Sequence, residues 1–223
     1  MTEVFRLQGA CANPHRIRNT NPIWHYATLR CPPELHACRH HSPSYRVIVT
    51  AVEAYELTTQ GGATDFAQLI RVCEQFGPYC LIGGLAVNGY VEPVYTLDAD
   101  IVPIATALPT LSARLQRQGF KIEAHPHFVN AWPPESSLRI QFSTDEKYQA
   151  FLSRSVEAEV LGVRVKIASL EDVAQGKLWA YGDPHRRLSK RKKDELDLIR
   201  LAEAHPELKS MYPVELREQI ERG

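Results

Sequence analysis

The residues best suited to chemistry are two aspartates one position apart in an apolar segment, Thr96-Leu97-Asp98-Ala99-Asp100-Ile101-Val102. On a strand, positions i and i+2 share a face. Asp98 and Asp100 therefore project together, while Leu97, Ala99 and Ile101 point the other way. Two like charges side by side cost free energy unless a proton or a cation shares them. A hard divalent cation with oxygen ligands, such as Mg²⁺, resolves the conflict. Just upstream, Gly83-Gly84 follows the apolar run Tyr79-Cys80-Leu81-Ile82. Glycine lets backbone approach a ligand closely, and N–H groups at a helix start can receive phosphate oxygens. Each feature has a plainer alternative: a simple turn for the glycine pair, a solvated strand face for the aspartates.

Elements that can position these groups follow from periodicity. A segment from Val47 to about Leu57 reads as helix or strand, and Gly61-Gly62 breaks it. Thr64 or Asp65 can cap a helix over 65–76, with Phe66, Leu69, Ile70, Cys73 and Phe76 on one stripe. Gly77-Pro78 stops it, and 79–82 is a short buried strand. Gly83 opens a helix to about Tyr90, and 97–104 is the next strand. A helix over 107–118 ends at Gly119, followed by strands at 121–123, 127–130 and 138–142. Helix is expected near 146–155, and Val160–Lys166 turns at Gly162 as a hairpin or bent strand. Ser169-Leu170-Glu171-Asp172 resembles a capping box and starts a helix to about Tyr181. Gly182-Asp183-Pro184 breaks it before a helix over 187–204, which has Leu188, Leu196, Ile199 and Leu201 to bury. Pro206 ends that helix, and Pro213 begins a last short one.

Composition narrows the class. The chain has 223 residues, and 26 Lys+Arg balance 26 Asp+Glu, so the net field favours no class of partner. The charge is uneven, however. Residues 185–193, His-Arg-Arg-Leu-Ser-Lys-Arg-Lys-Lys, are strongly basic and read as a solvated helix face or an RNA-phosphate contact. No apolar run approaches the ~20 residues that cross a bilayer. The start lacks a signal-peptide layout, which points to a cytoplasmic protein with no membrane partner. Five cysteines in no small-secreted-domain spacing read as reduced thiols. Residues 1–60 form an irregular or flexible leader that is expected to be dispensable. Within it, Cys31, His36, Cys38, His40 and His41 fit no usual zinc pattern. The expected division is leader 1–60, α/β core 61–166 and a helical C-terminal part 167–223.

Ile82-Gly83-Gly84-Leu85-Ala86-Val87-Asn88-Gly89-Tyr90 followed by Thr96-Leu97-Asp98-Ala99-Asp100 resembles the nucleotidyltransferase (polymerase-beta-like) superfamily. The wording is closest to its AbiEii/AbiGii toxin-like branch. Gly176-Lys177-Leu178-Trp179-Ala180 and Lys190-Arg191-Lys192-Lys193-Asp194-Glu195-Leu196-Asp197 resemble that branch's paired C-terminal helices, and the likeness spans roughly residues 64–205.

The resemblance implies an α/β (α+β) fold: a nucleotidyltransferase-type mixed sheet flanked by helices, with a helical C-terminal part. It implies Mg²⁺-dependent transfer of an NMP from an NTP to an acceptor hydroxyl on RNA, protein or a small molecule. It also implies the toxin role of a toxin–antitoxin pair, with an antitoxin protein as partner. Asp98 and Asp100 would hold the metal. Gly83, Gly84 and Lys177 would bind the nucleotide. Asp194, with Asp197 as its rival, would complete the catalytic set of Asp98, Asp100, Lys177 and Asp194. Such transfer rests on positioning and electrostatics rather than covalent work by side chains.

Two positions depart from the family pattern. Gln141 stands where many relatives carry a third carboxylate, and Val94 and Tyr95 stand where relatives commonly have an arginine. They keep two rivals in view: a non-catalytic relative that binds a nucleotide or a partner, and an RNA-binding module using residues 186–193.

Overall fold

The computed structural model describes residues 50–223, which fall within one compact unit. Cys11 and the Cys31-to-His41 group lie outside the described residues. Cys73 and Cys80 are buried free thiols.

Helix α1 (Ala51–Thr59) corrects the expectation of an irregular stretch as far as residue 60. Its start is a full capping box. Thr50 Oγ1 accepts from the Glu53 N–H at 3.2 Å, and Glu53 Oε2 accepts from the Thr50 N–H at 2.8 Å. Helix α2 (Gly62–Cys73) begins two residues before Thr64 and three before Asp65, the expected caps. Glu56, from the preceding helix, accepts from the backbone N–H of Ala63 at 2.8 Å and of Thr64 at 3.0 Å. The neighbouring carboxylate thus replaces Thr64 or Asp65 as the cap. The stripe Phe66, Leu69, Ile70 and Cys73 is buried as expected.

Strand β1 (Tyr79–Ile82) runs into the short helix α3 (Gly83–Val87), which ends earlier than the expected Tyr90. Asn88 stops it and closes the next loop, exchanging hydrogen bonds with the Val94 backbone at 2.8 and 3.0 Å. Then come β2 (Asp98–Pro103), α4 (Leu108–Arg117), β3 (Lys121–Ala124), β4 (Phe128–Trp132) and β5 (Arg139–Ser143). Helix α5 (Glu146–Gln149) passes into a 3-10 turn, Ala150–Arg154. Strands β6 (Val156–Val160) and β7 (Val163–Ile167) form a hairpin. Leu161 and Gly162 turn it at φ 52° and 73°. Two successive left-handed residues match the twist of the flanking strands.

The seven strands form one mixed sheet in the order β3-β4-β5-β2-β1-β7-β6. Strand β2 pairs parallel to β5 and antiparallel to β1, and β1 pairs parallel to β7. Fully buried Ala99, Ile101, Ile140 and Phe142 pack into the core with Leu111 and Leu115 of α4. The fold is therefore mixed α/β with helices flanking the sheet.

The C-terminal part is helical: α6 (Leu170–Gly182), α7 (Leu188–Ala204), a 3-10 turn and α8 (Val214–Arg222). The Ser169 capping box is only half made. Ser169 Oγ accepts from the Asp172 N–H, but both Asp172 carboxylate oxygens bind Arg154, at 2.9 and 2.7 Å. A two-toothed guanidinium pairing outcompetes a return bond to the cap. Leu188 and Leu196 are exposed, which corrects their assignment to the core. The inward face of α7 instead carries Asp194, Asp197, Leu198 and Leu201. Among the described residues, no helix is long and apolar enough to cross a membrane.

Candidate functional site

Strand register builds the site. On β2, Asp100 lies opposite Ile82 of β1 on one side and Gln141 of β5 on the other, and Asp98 lies opposite Arg139. The buried Ala99 and Ile101 alternate with the partly buried aspartates, as strand geometry requires.

Gly83 begins α3 at φ +69°, and a Cβ there would sit 2.1 Å from Asp100 Oδ2. Glycine is needed twice over, for the left-handed turn and for the space. Gly83→Ala is expected to destabilise the protein by about 1–2 kcal/mol through backbone strain. It also forces the Asp100 carboxylate out of its place. Urea unfolding and Mg²⁺-NTP titration measure the two effects; an alanine variant that binds normally would contradict this account of Gly83.

The two aspartates differ in their surroundings. Asp98 is shared by two cations, with Lys190 Nζ 2.9 Å from Oδ2 and an Arg139 nitrogen 2.9 Å from Oδ1. Burial pushes its pKa up, but the Lys190 hydrogen bond and charge, with Arg139 and Lys193, outweigh burial and hold it below the usual carboxylate range. Asp100 is raised above that range, first by burial and also by Asp98, against the pull of Lys177, Lys190 and Lys193. Among the described residues, no side chain forms an ion pair or hydrogen bond with the Asp100 carboxylate. The two like charges of the sequence argument are thus unequal, and Asp100 is the one left uncompensated.

The basic run is not simply a solvated face, which corrects one reading of it. Arg186 Nε binds Asp194 at 2.6 Å, Lys190 binds Asp98, and Lys193 Nζ donates to Thr96 Oγ1 at 2.9 Å. Lys190 and Lys193 are three positions apart on α7, so one helical face carries both inward, while Arg186 reaches Asp194 from the loop ahead of that helix. The phase of Lys190 and Lys193 was readable in the sequence, whereas Arg186 enters the site from the loop before α7; none of the three was singled out as a site residue from the sequence. Lys193 is half-buried, and burial together with Lys177 and Lys190 holds its pKa below the usual lysine range. Its Nζ lies 3.7 Å from the place a Gly84 Cβ would occupy. A cation therefore stands at the glycine pair, near the place where the sequence resemblance leads one to expect an arginine instead of Val94 and Tyr95.

Lys177 is buried between two carboxylates, Asp194 at 3.0 Å and Asp197 at 2.7 Å. Burial lowers its pKa, but Asp197 and Asp194 outweigh that and raise it above the usual lysine range. Asp194 and Asp197 are thus not rivals: both grip the same lysine. Arg200 braces Asp197 at 2.8 Å and reaches the Glu92 carbonyl, tying α7 to the loop ahead of β2.

Gly83, Asp100, Gln141, Lys177, Arg186 and Asp194 line one cleft of about 220 Å³. Asp98 and Asp100 also line an adjoining cleft of about 350 Å³. The structure therefore brings Gly83, Asp100, Lys177 and Asp194 together, with Asp98 on the next wall and Gly84 beside Lys193. No group of three or more His, Cys, Asp or Glu able to hold a metal occurs among the described residues. Asp98 and Asp100 supply two carboxylates, and the Gln141 amide lies beside Asp100 in register. The uncompensated Asp100 makes this set fit Mg²⁺, which commonly takes one or two carboxylates and fills its shell with water and substrate phosphate.

Neither a family model nor a curated protein matches the chain. Among solved structures, it is similar to the lincosamide antibiotic adenylyltransferase LnuA in its lincomycin-bound form, with a TM-score of 0.47 and 15% identity over 63% of this chain and 96% of that one. It is also similar to ANT(2")-Ia in complex with adenylyl-2"-tobramycin, with a TM-score of 0.49 and 15% identity over 72% of this chain and 97% of that one. A third likeness is to an antigenic nucleotidyltransferase-like protein from Paracoccidioides brasiliensis, with a TM-score of 0.44 and 16% identity over 65% of this chain and 77% of that one. At these TM-scores the likeness assigns neither a family nor a residue role to this chain.

Proposed function

We propose that the chain is a nucleotidyltransferase that moves an NMP from an NTP to an acceptor hydroxyl. The observation that carries this reading is Asp100, a carboxylate without a partner, in one cleft with Gly83 and the buried Lys177. Asp98 and Asp100 would hold Mg²⁺, which would supply positive charge to the phosphoryl oxygens. The backbone N–H groups of Gly83 and Gly84, with Lys193 beside them, receive the triphosphate. Lys190, 2.9 Å from Asp98, would stand close enough to a bound nucleotide to offer its charge to phosphate oxygens. Asp194 and Asp197 orient Lys177, whose compact charge faces the same phosphates. The acceptor oxygen bonds to the α-phosphorus as the bond to pyrophosphate breaks, pyrophosphate departs, and the hydroxyl proton passes to water. The Gly-Gly, Asp-x-Asp and paired-helix motifs support an AbiEii-like assignment and a toxin role with an antitoxin partner, and the cysteine usage supports a cytoplasmic site of action.

Gln141 favours a second reading, a relative that binds nucleotide without turning it over. Thermal unfolding with each Mg²⁺-NTP tests binding, because a ligand of the folded state raises its apparent stability. Labelled NTP with total RNA and lysate protein then tests transfer. Stabilisation with label transfer is expected. Stabilisation alone supports the second reading, and neither result would sink both.

A further inference from the structure

The face of the sheet that carries the aspartates continues, open, across three more strands. A cross-strand row runs Glu123, Asn130, Gln141, Asp100 through the register of β3, β4, β5 and β2. Alternation puts Arg139 and Gln141 of β5 on the exposed side, while Ile140 and Phe142 are buried. On β4 the partly buried Phe128, Asn130 and Trp132 alternate with buried Val129 and Ala131. The cleft of about 350 Å³ beside Asp98 and Asp100 is walled by Asn130, Trp132, Arg139, Gln141, Arg186 and Lys190.

Charge complementarity narrows the occupant. Arg139, Arg186 and Lys190 face a space whose carboxylates are Asp98 and Asp100. A divalent cation on that pair would free Arg139 and Lys190 of Asp98, and both would face the opening beside Arg186, which keeps its partner Asp194. A polycationic acceptor is repelled there, and an acceptor carrying phosphate is held. Trp132 adds a flat ring, with Lys121 Nζ 5.3 Å from the ring centroid. The amides of Asn130 and Gln141 can donate and accept at the edge of a stacked ring. At the outer end of the row, Glu123 lies 3.1 Å from His125.

We infer that the open face of β4 and β5 is the acceptor platform, and that it takes a hydroxyl compound bearing both a flat ring and a phosphate, a nucleotide unit, with the ring on Trp132 and the phosphate at Arg139 and Arg186. This rests on the nucleotidyltransferase reading and names its acceptor class. Two sources share that chemistry, a free nucleotide unit and the end of a single strand.

The test is calorimetric titration of the full chain saturated with Mg²⁺ and a non-hydrolysable NTP analogue. The probes are the dinucleoside monophosphate ApA, a short oligoribonucleotide, uncharged adenosine and the polycation tobramycin. ApA is expected to bind at least about tenfold more tightly than adenosine, and tobramycin not to bind. Trp132→Ala is expected to weaken ApA about tenfold or more, Trp132→Phe to restore most of the loss, and neither to change the affinity for the NTP analogue. An oligoribonucleotide that binds more tightly than ApA assigns a strand end, and equal binding assigns a free nucleotide unit. Equal affinity for ApA and adenosine, tobramycin binding more tightly than ApA, or unchanged ApA binding by a folded Trp132→Ala protein overturns the inference. Failure of the NTP analogue itself to bind removes the reading beneath it, a distinct result.

Discussion

Lys177→Met is expected to destabilise the protein by about 3–5 kcal/mol, although methionine nearly matches the lysine stem. Removing one member of a buried charge network leaves the others uncompensated. Asp194 and Asp197, each nearly inaccessible, would lose the ammonium that lies 3.0 and 2.7 Å away. Arg186 and Arg200 would remain on their outer sides, so compensation would be partial. The sign with pH follows from the raised Lys177 pKa. Its stabilisation is complete below the ordinary lysine range and fades only as pH climbs through the raised value. The loss is therefore at full size near neutrality, where urea unfolding measures it. Adding Asp194→Asn to Lys177→Met is expected to recover part of the loss, because it removes one of the stranded charges. A Lys177→Met protein within about 1 kcal/mol of the parent would show the pairing to be no better than a surface ion pair.

Asp100→Asn is expected to act oppositely on stability and on function. Turnover should fall by about 10²–10³-fold, the scale seen when one oriented electrostatic group is removed from a reaction centre. The thermal shift given by Mg²⁺-NTP should vanish with it. The unliganded protein, however, should become more stable near neutral pH. Asp100 has its pKa raised, chiefly by burial, so the folded state favours the protonated form and loses stability as pH rises through the raised value. Asparagine removes that term. Asp98→Asn makes the contrast, because the Asp98 pKa is lowered and its ionised form is gripped by Lys190 and Arg139. Its stabilising contribution is present above the ordinary carboxylate range and disappears as pH falls through the lowered value. Melting curves of both variants without ligand, across the acid-to-neutral range, measure the two signs. An Asp100→Asn protein less stable than the parent would make Asp100 a structural residue.

These two variants also mark where local sequence stops informing. That Asp98 and Asp100 share a face follows from the period of a strand, and the apolar run at 79–82 and the glycine at 162 mark β1 and the β6–β7 hairpin just as locally. Which aspartate is compensated is not a local property. Lys190, which decides it, is 92 positions away from Asp98. The start of α2 was misjudged for a related reason, since its cap is the Glu56 side chain of another helix. The inward phase of Lys190 and Lys193 was readable from spacing alone, whereas the inward reach of Arg186 depends on the loop before α7. That phase was hidden because a basic run ordinarily faces water, and Leu188 and Leu196 suggested a different buried side. Thr50-Ala51-Val52-Glu53 was a legible helix start inside a stretch dominated by irregular composition.

The division of charge along the chain sets an order of assembly during synthesis. All seven strands, and with them Asp98 and Asp100, lie before residue 168, whereas Lys177, Lys190 and Lys193 all follow. A growing chain leaves the ribosome amino end first, at about 5–20 residues per second. The sheet can therefore form while the lysine-bearing helices are still being made. A nascent or prematurely ended chain holds the carboxylates with Arg139 beside Asp98 but without the lysines that complete the site. If the protein modifies other molecules as proposed, it stays silent until its final helices dock, so an unfinished copy poses no hazard to the cell that is building it.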